Sequence, residues 1–279
     1  MPNKQRTLKA IAELSAPGTF TEGVVNIKIH PSEAGAGIEF RIVSGGKITS
    51  IPVEIGNLLE APNRSVLVSP EDETIRINIT EHVLSSLMGL GIDNAIIEVD
   101  AIEMPLIDGS SLKYAEAIMK AGIVEQEPER DEIVVDETII VDDGNTVLMA
   151  VPSEKFIVTH YLDHENSQIG KRAATIEITP ENYMKRIGPA RTFLMADNIP
   201  AMVANGEVKN TDANQALVVY EDKLNQTLRF ANEFCYHKIL DILGDMYLTG
   251  KRVRGHIIGI RSGHVQNREL ARRLAQIYL

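Results

Sequence analysis

Along the first eighty residues apolar side chains recur at every second position in short runs, and beyond them the period lengthens to that of a helix. VVNIKIHP at 24–31 alternates as a strand closed by its proline, with GIEFRIV at 37–43 as its expected hairpin partner. Residues 4–12 read as an earlier strand, followed by a turn around Pro17 and Gly18. SVLV at 65–68 and TIRINI at 74–79 predict a second hairpin across the polar SPEDE stretch. At Thr80 the period changes. In TEHVLSSLMGLG, Val83, Leu84, Leu87 and Met88 fall at helical spacing, with Thr80 the expected N-cap and Gly89 or Gly91 the stop. NAIIEVD at 94–100 returns as a strand, MPLIDGSS at 104–111 is a connection, and SLKYAEAIMKAG is a second helix.

The acidic, proline-containing stretch VEQEPERDEIV at about 122–132 marks a boundary. After it come two strands around DDGN, another in KFIVTHYLDH, and a strand followed by a short helix in ATIEITPENYMKRIG. ALVVYEDKL at 216–224 reads as strand and turn. RFANEFCYHKILDILGD at 229–245 reads as a helix, with Phe230, Phe234, Ile239, Leu240, Leu243 and Met246 on its apolar stripe. VRGHIIGIRSGH at 253–264 reads as a strand ending in Gly-His, and QNRELARRLAQIYL as a closing helix. EHVLSSLMGLGIDNAIIEVD and HKILDILGDMYLTGKRVRGHIIGI share the order helix, glycine-containing turn, alternating strand. The pattern predicts an α+β fold of two similar-topology domains, 1–122 and 133–279, joined by a linker at 123–132. Each is a mainly antiparallel sheet with helices on one face, and the two face one another.

Composition narrows the function. The 279 residues and 44% hydrophobic content support substantial cores. A formal net charge of −11 argues against nucleic acid as a partner but leaves room for a local phosphate pocket. The single cysteine, Cys235, fits a reducing compartment and lies beside the apolar stripe of its helix, so it reads as core. The chain has no apolar run of transmembrane length and no signal-peptide segment near its start. A soluble cytoplasmic protein is expected, with peripheral membrane contact left open. No GxxxxGK[ST] phosphate loop is present.

Two polar residues interrupt the 229–245 helix. His237 and Asp241, four apart, share one face, and an imidazole and carboxylate so placed can hold one metal ion. A lone HxxxD is more often a surface pair or a cap, so the motif alone leaves both readings open. Glu81 and His82 fall in the first turn of the earlier helix, where a carboxylate also serves simply as a helix-start residue.

Together these residues carry a resemblance. ITEHVLSSLMGLGIDNAIIEVD with MPLIDGSS, ARTF at 190–193, RFANEFCYHKILDILGD and GHIIGIRSGH at 255–264 stand in the order of the motifs of bacterial UDP-3-O-acyl-N-acetylglucosamine deacetylases, the zinc enzymes of lipid A synthesis. The chain resembles that family over nearly its full length. The resemblance implies a zinc-dependent deacetylase of an N-acetylated sugar or sugar nucleotide, acylated in the family's own substrate. It implies His82, His237 and Asp241 as zinc ligands, Glu81 as general base, and His264 as the group that stabilises the oxyanion and protonates the leaving amine. Asp245 orients and charges that histidine, and Thr192 helps hold the oxyanion. Lys238, Phe193 and Arg191 become the expected substrate contacts.

The chain departs from the family at three places. GTFTEG at 18–23 replaces a Gly-Leu-His-Thr-Gly loop, so that Phe20 takes the approximate place of a substrate-side histidine. IVTHYLDHENSQ at 157–168 and MVANGEVKNTDANQALVV at 202–219 also differ from the family's segments. These differences leave open a deacetylase of another N-acetylated sugar, or a sugar-nucleotide binding module without catalysis.

Overall fold

The computed structural model describes residues 4–205 and 215–279. In the strand Val24–Pro31, Val25, Ile27 and Ile29 are buried and the residues between them face outward, as a period of two requires of a sheet covered on one side. Its sheet runs in the order Ala12–Pro17, Val24–Pro31, Ala95–Val99, Ile38–Ser44, Lys47–Pro52. A second sheet repeats that order with Ile139–Asp142, Val147–Val151, Arg252–Ile260, Phe156–Asp163 and Lys171–Glu177. In each, the strand that comes last in sequence enters the middle, antiparallel to one neighbour and parallel to the other. The fold is α+β, mainly antiparallel, with helices packed against the sheets.

Four helices matter for the site: α1 (Glu81–Leu90), α2 (Leu112–Ala121), α3 (Glu233–Met246) and α4 (His264–Tyr278). Every residue of α1 is buried, and in α3 only Tyr236 and Lys238 are not. A helix buried on all sides must lie between other layers. Here α1 packs on α2 and α3, and α3 packs on α4 and the strand Phe156–Asp163. The contact between α1 and α3 is close because Gly244 has no side chain: a Cβ there would stand 2.2 Å from the carbonyl oxygen of Glu81. Gly89 likewise lies under the Tyr183 ring, 2.0 Å from where its Cβ would be.

Several local expectations change. Strand Ile38–Ser44 is not the hairpin partner of Val24–Pro31, because Ala95–Val99 lies between them. Its partner is Lys47–Pro52, across a Gly45-Gly46 turn with φ of 57° and 79°, the two positive values that a tight two-residue hairpin demands. The acidic stretch after Gly122, expected as a linker, contains strand as well: Ile123–Glu129 pairs antiparallel with Lys4–Leu8, and Glu132–Val134 runs parallel to the start of Arg252–Ile260. Thr80 does not cap α1, since its own backbone is already helical and its hydroxyl donates to the Ser65 carbonyl. Helix α3 starts at Glu233, after Asn232 in the left-handed region (φ 63°), which leaves Phe230 outside the helix and edge-on to Tyr236. Arg261 (φ 54°) ends the strand at Ile260, and His264 opens α4 instead of closing that strand. Among the described residues no helix is long and apolar enough to cross a membrane.

Gly244→Ala is expected to lose about 1–3 kcal/mol of stability in chemical denaturation, because an overpacked helix contact has to open. Gly56→Ala, whose Cβ would meet nothing within 4 Å, serves as the control. Equal stability of the two variants would refute the close-packing account.

Candidate metal centre

The contact between α1 and α3 brings together residues far apart in sequence. His82, in the first turn of α1, and His237 and Asp241, one turn apart on α3, are all buried and offer three ligand atoms within 4.8 Å of one another. The His237 Nδ1–H donates to the Ala190 carbonyl at 3.1 Å, which leaves the Nε2 lone pair 3.3 Å from Asp241 Oδ1. Burial pushes the pKa of His237 down to about 3, with nearby His82 and Lys238 adding to the effect against Asp241, so the imidazole is neutral near pH 7. Burial by itself opposes charge on Asp241, but His237, Lys238 and His264 outweigh it and hold its pKa below the ordinary carboxylate range. His82 Nδ1 is buried without a hydrogen-bond partner among the described residues. Two buried imidazoles, one of them with an unpartnered ring nitrogen, and a carboxylate make a donor set that fits a divalent cation. The three line a cavity of about 100 Å³ together with Glu81, Thr192, Phe20, Arg64 and His264.

Glu81 and His264 stand on this cavity with different supports. Burial raises the pKa of Glu81 most, Asp245 adds to the rise, and His264 and His82 oppose it. Burial opposes charge on His264 too, yet Asp245, Asp241 and Glu81 outweigh it and lift its pKa to about 9. The link is direct: His264 Nδ1–H donates to Asp245 Oδ2 at 2.8 Å. Asp245 accepts two further hydrogen bonds, from Asn267 Nδ2 at 2.9 Å and from the Ser65 hydroxyl at 2.5 Å. Ser65 also gives its backbone N–H to Glu81 Oε2 at 3.0 Å, and its carbonyl accepts from the Thr80 N–H at 3.2 Å. It therefore ties the carboxylate behind His264 to the carboxylate of Glu81. Sequence reading missed both Ser65 and Asn267, because nothing in a local pattern marks a serine that bonds to a residue 180 positions away.

The other expected residues divide. Thr192 lines the cavity, its backbone held by Gly109 and Leu217. Phe193 stands edge-on to His237 with ring centroids 6.4 Å apart, and Lys238 binds Asp241 Oδ2 at 2.8 Å while lying over the Phe193 ring. Arg191, expected as a substrate contact, is buried and spent on the fold. Glu233 binds its Nε at 2.7 Å, and Gln226 and Thr227 take its remaining nitrogens, so it does not line the cavity.

The departures from the family's motifs also have places. Phe20 lines the cavity on a loop whose Phe20 and Thr21 N–H groups donate to the buried Glu103 carboxylate. His160, in the 157–168 segment, is buried and held neutral, with its pKa lowered to about 4 chiefly by burial and then by Lys238. Its Nε2 lies 3.3 Å from the Ser262 carbonyl, two residues before His264. Part of the 202–219 segment, residues 206–214, lies outside the described residues. Cys235 is buried with its pKa raised to about 11, chiefly by burial, which makes it a core residue as expected.

Comparison with known proteins agrees with this geometry. A family profile described as UDP-3-O-acyl N-acetylglycosamine deacetylase matches residues 5–276. The chain is 32% identical over 269 residues to the UDP-3-O-acyl-N-acetylglucosamine deacetylase of Leptospira biflexa serovar Patoc, covering 96% of this chain and 88% of that protein. It is 35% identical over 268 residues to the protein of the same name from Saccharophagus degradans, covering 95% and 88%. It is 34% identical over 275 residues to that from Teredinibacter turnerae, covering 97% and 90%. With a buried His-His-Asp cluster between its first and third helices and matches that run nearly end to end, the chain belongs to the UDP-3-O-acyl-N-acetylglucosamine deacetylase family.

Proposed function

We propose that the chain removes the N-acetyl group of UDP-3-O-acyl-N-acetylglucosamine in lipid A biosynthesis, with a zinc ion held by His82, His237 and Asp241, and that it does so in the cytoplasm. The observation that carries the reading is the meeting, on one cavity, of that buried ligand set with Glu81 and His264. In this reading residues 1–122 and 133–279 act as two domains that share the site, joined through 123–132.

Zinc in such a site polarises the amide carbonyl and lowers the pKa of a bound water. Everything else falls to the chain's own side chains. Glu81, its basicity raised by burial, takes a proton from the attacking water. As the carbonyl carbon becomes tetrahedral, negative charge gathers on its oxygen, and the Thr192 hydroxyl and the charged His264 stabilise it. The amine is a poor leaving group until it is protonated, and the His264 imidazolium supplies that proton from Nε2, since its Nδ1–H is bound to Asp245. Asp245 keeps the ring oriented and charged. Lys238, bound to Asp241, and Phe193, packed on His237, stand behind the ligands and support them, outside the lining of the cavity itself.

Glu81→Ala and His264→Ala are each expected to lower kcat by about 10²–10⁴-fold while the fold and bound zinc persist, as read by acetate release, circular dichroism and metal analysis. Full turnover in both would remove their assigned roles. His237→Ala is expected to lose zinc itself. Asp245→Asn tests the acid from another side. His264 is active as the imidazolium, so activity falls as pH rises through its pKa, and a carboxylate beside it moves that fall upward. Taking away the negative charge is therefore expected to move the alkaline limb of the kcat/KM profile to lower pH. An unmoved limb would assign it to another group.

A further inference from the structure

Arg64 is the one lysine or arginine among the described residues that line the cavity in front of His82, His237 and Asp241. It is held on three sides. Its carbonyl accepts from the buried Arg268 of α4 at 2.8 Å, its Nε donates to Asn78 Oδ1 at 3.2 Å, and its guanidinium carbon lies 5.0 Å over the centre of the Phe20 ring. Those supports are themselves fixed: Asn78 donates to the Ile102 carbonyl at 2.9 Å, and the Phe20 N–H donates to Glu103. The two terminal amino groups of Arg64 make no hydrogen bond to the described residues. In this Arg64 differs from Arg191, whose nitrogens are spent on Glu233, Gln226 and Thr227. A guanidinium oriented by a ring face and by its Nε, on a residue that lines the cavity and with its amino ends unbonded to the described residues, can take an oxyanion through two charge-assisted hydrogen bonds.

We propose that Arg64, standing on Phe20, is the specificity residue that holds the diphosphate of the nucleotide-sugar substrate; the assignment rests on the reading that the chain acts on an acylated UDP-sugar. Beside the three histidines the cavity presents the carboxylates of Glu81 and Asp241, in a chain of net charge −11, so an anionic ligand gains from a permanently charged cation fixed in advance on the lining. A lysine would supply the charge but neither the fork nor the flat face that stacks on Phe20.

The test uses the full chain loaded with zinc, and its Arg64→Ala and Arg64→Lys variants. Affinity for UDP is measured by titration calorimetry, kcat and KM by acetate release, and inhibition by acetohydroxamate serves as a probe that binds metal and has no phosphate. Arg64→Ala is expected to weaken UDP binding and to raise KM by about tenfold or more, with kcat within about threefold and hydroxamate inhibition unchanged. Arg64→Lys is expected to fall between. Unchanged UDP affinity in Arg64→Ala would overturn the assignment, and so would a parallel loss of hydroxamate inhibition, which would mean general damage to the site. Wild-type protein that binds UDP through Arg64 without releasing acetate would sink the deacetylase reading and keep this one. Wild-type protein that does not bind UDP would sink the assignment outright.

Discussion

The approach of α1 to α3 at Gly244 is the constraint on which the rest of the site depends. Glu81 lies against that glycine, with His82 next to it in sequence; Asp245 is the next residue on the other helix, and Asp241 and His237 follow one and two turns back. No other side chain at 244 would let the two backbones come so near, and a separation greater by even a methyl group would part the ligand atoms that now lie within 4.8 Å. The helices can approach in this way because α1 is buried along its whole length against α2 and α3, and all of α3 but Tyr236 and Lys238 is buried, with α4 and the second sheet packed on it. Packing thus fixes the metal site before any metal binds, which lowers the ordering cost of filling it.

The same contact gathers charge in a place that excludes water. An isolated buried carboxylate costs several kcal/mol, roughly, and is tolerated when it is paired or hydrogen-bonded. Asp245 accepts from Ser65, Asn267 and His264; Asp241 faces Lys238 and His237; Glu81 accepts from the Ser65 N–H. Ser65 belongs to neither helix. It sits at the edge of the small hairpin Val66–Val68 and Arg76–Asn78, and that hairpin is held over the site by its bonds to Thr80, Glu81 and Asp245. The buried Nδ1 of His82, without a hydrogen-bond partner among the described residues, belongs to the same set as His237 and Asp241, where an unpartnered imidazole nitrogen suits a metal ligand.

What could be read from the sequence was what is written locally. The period of two in 24–31, the change of period at Thr80 and the HxxxD spacing each depend on neighbours within one or two turns, and the structure keeps all three as read. The halves' shared order of helix, turn and strand also survives, as two sheets with one strand order. The pairing of strands was not legible, since the last strand of each half passes over two hairpins to enter the sheet's middle, and alternation says which face is buried but not which neighbour bonds. Arg191 shows the same limit at the level of a side chain. Beside Thr192 it looks like a substrate contact, and only the fold shows that Glu233 has taken it.

The charge of His264 depends on side chains outside its own helix. As the first residue of α4 it sits where unpaired backbone amides carry partial positive charge, which disfavours an imidazolium, and burial disfavours it further. Alone, this histidine would be neutral near pH 7 and unable to protonate an amine. Its pKa nevertheless stands at about 9, because carboxylates from elsewhere surround it: Asp245 and Asp241 from α3, Glu81 from α1. The raised pKa of His264 therefore comes chiefly from the two carboxylates of α3, with Glu81 of α1 adding to it, and not from its own helix. Glu81 is affected in return, since the positive ring across the cavity partly offsets the burial that raises its pKa. Across the cavity Glu81 and His264 each move the other's pKa toward its charged form, a coupling that joins α1 to α4 through the space in front of α3.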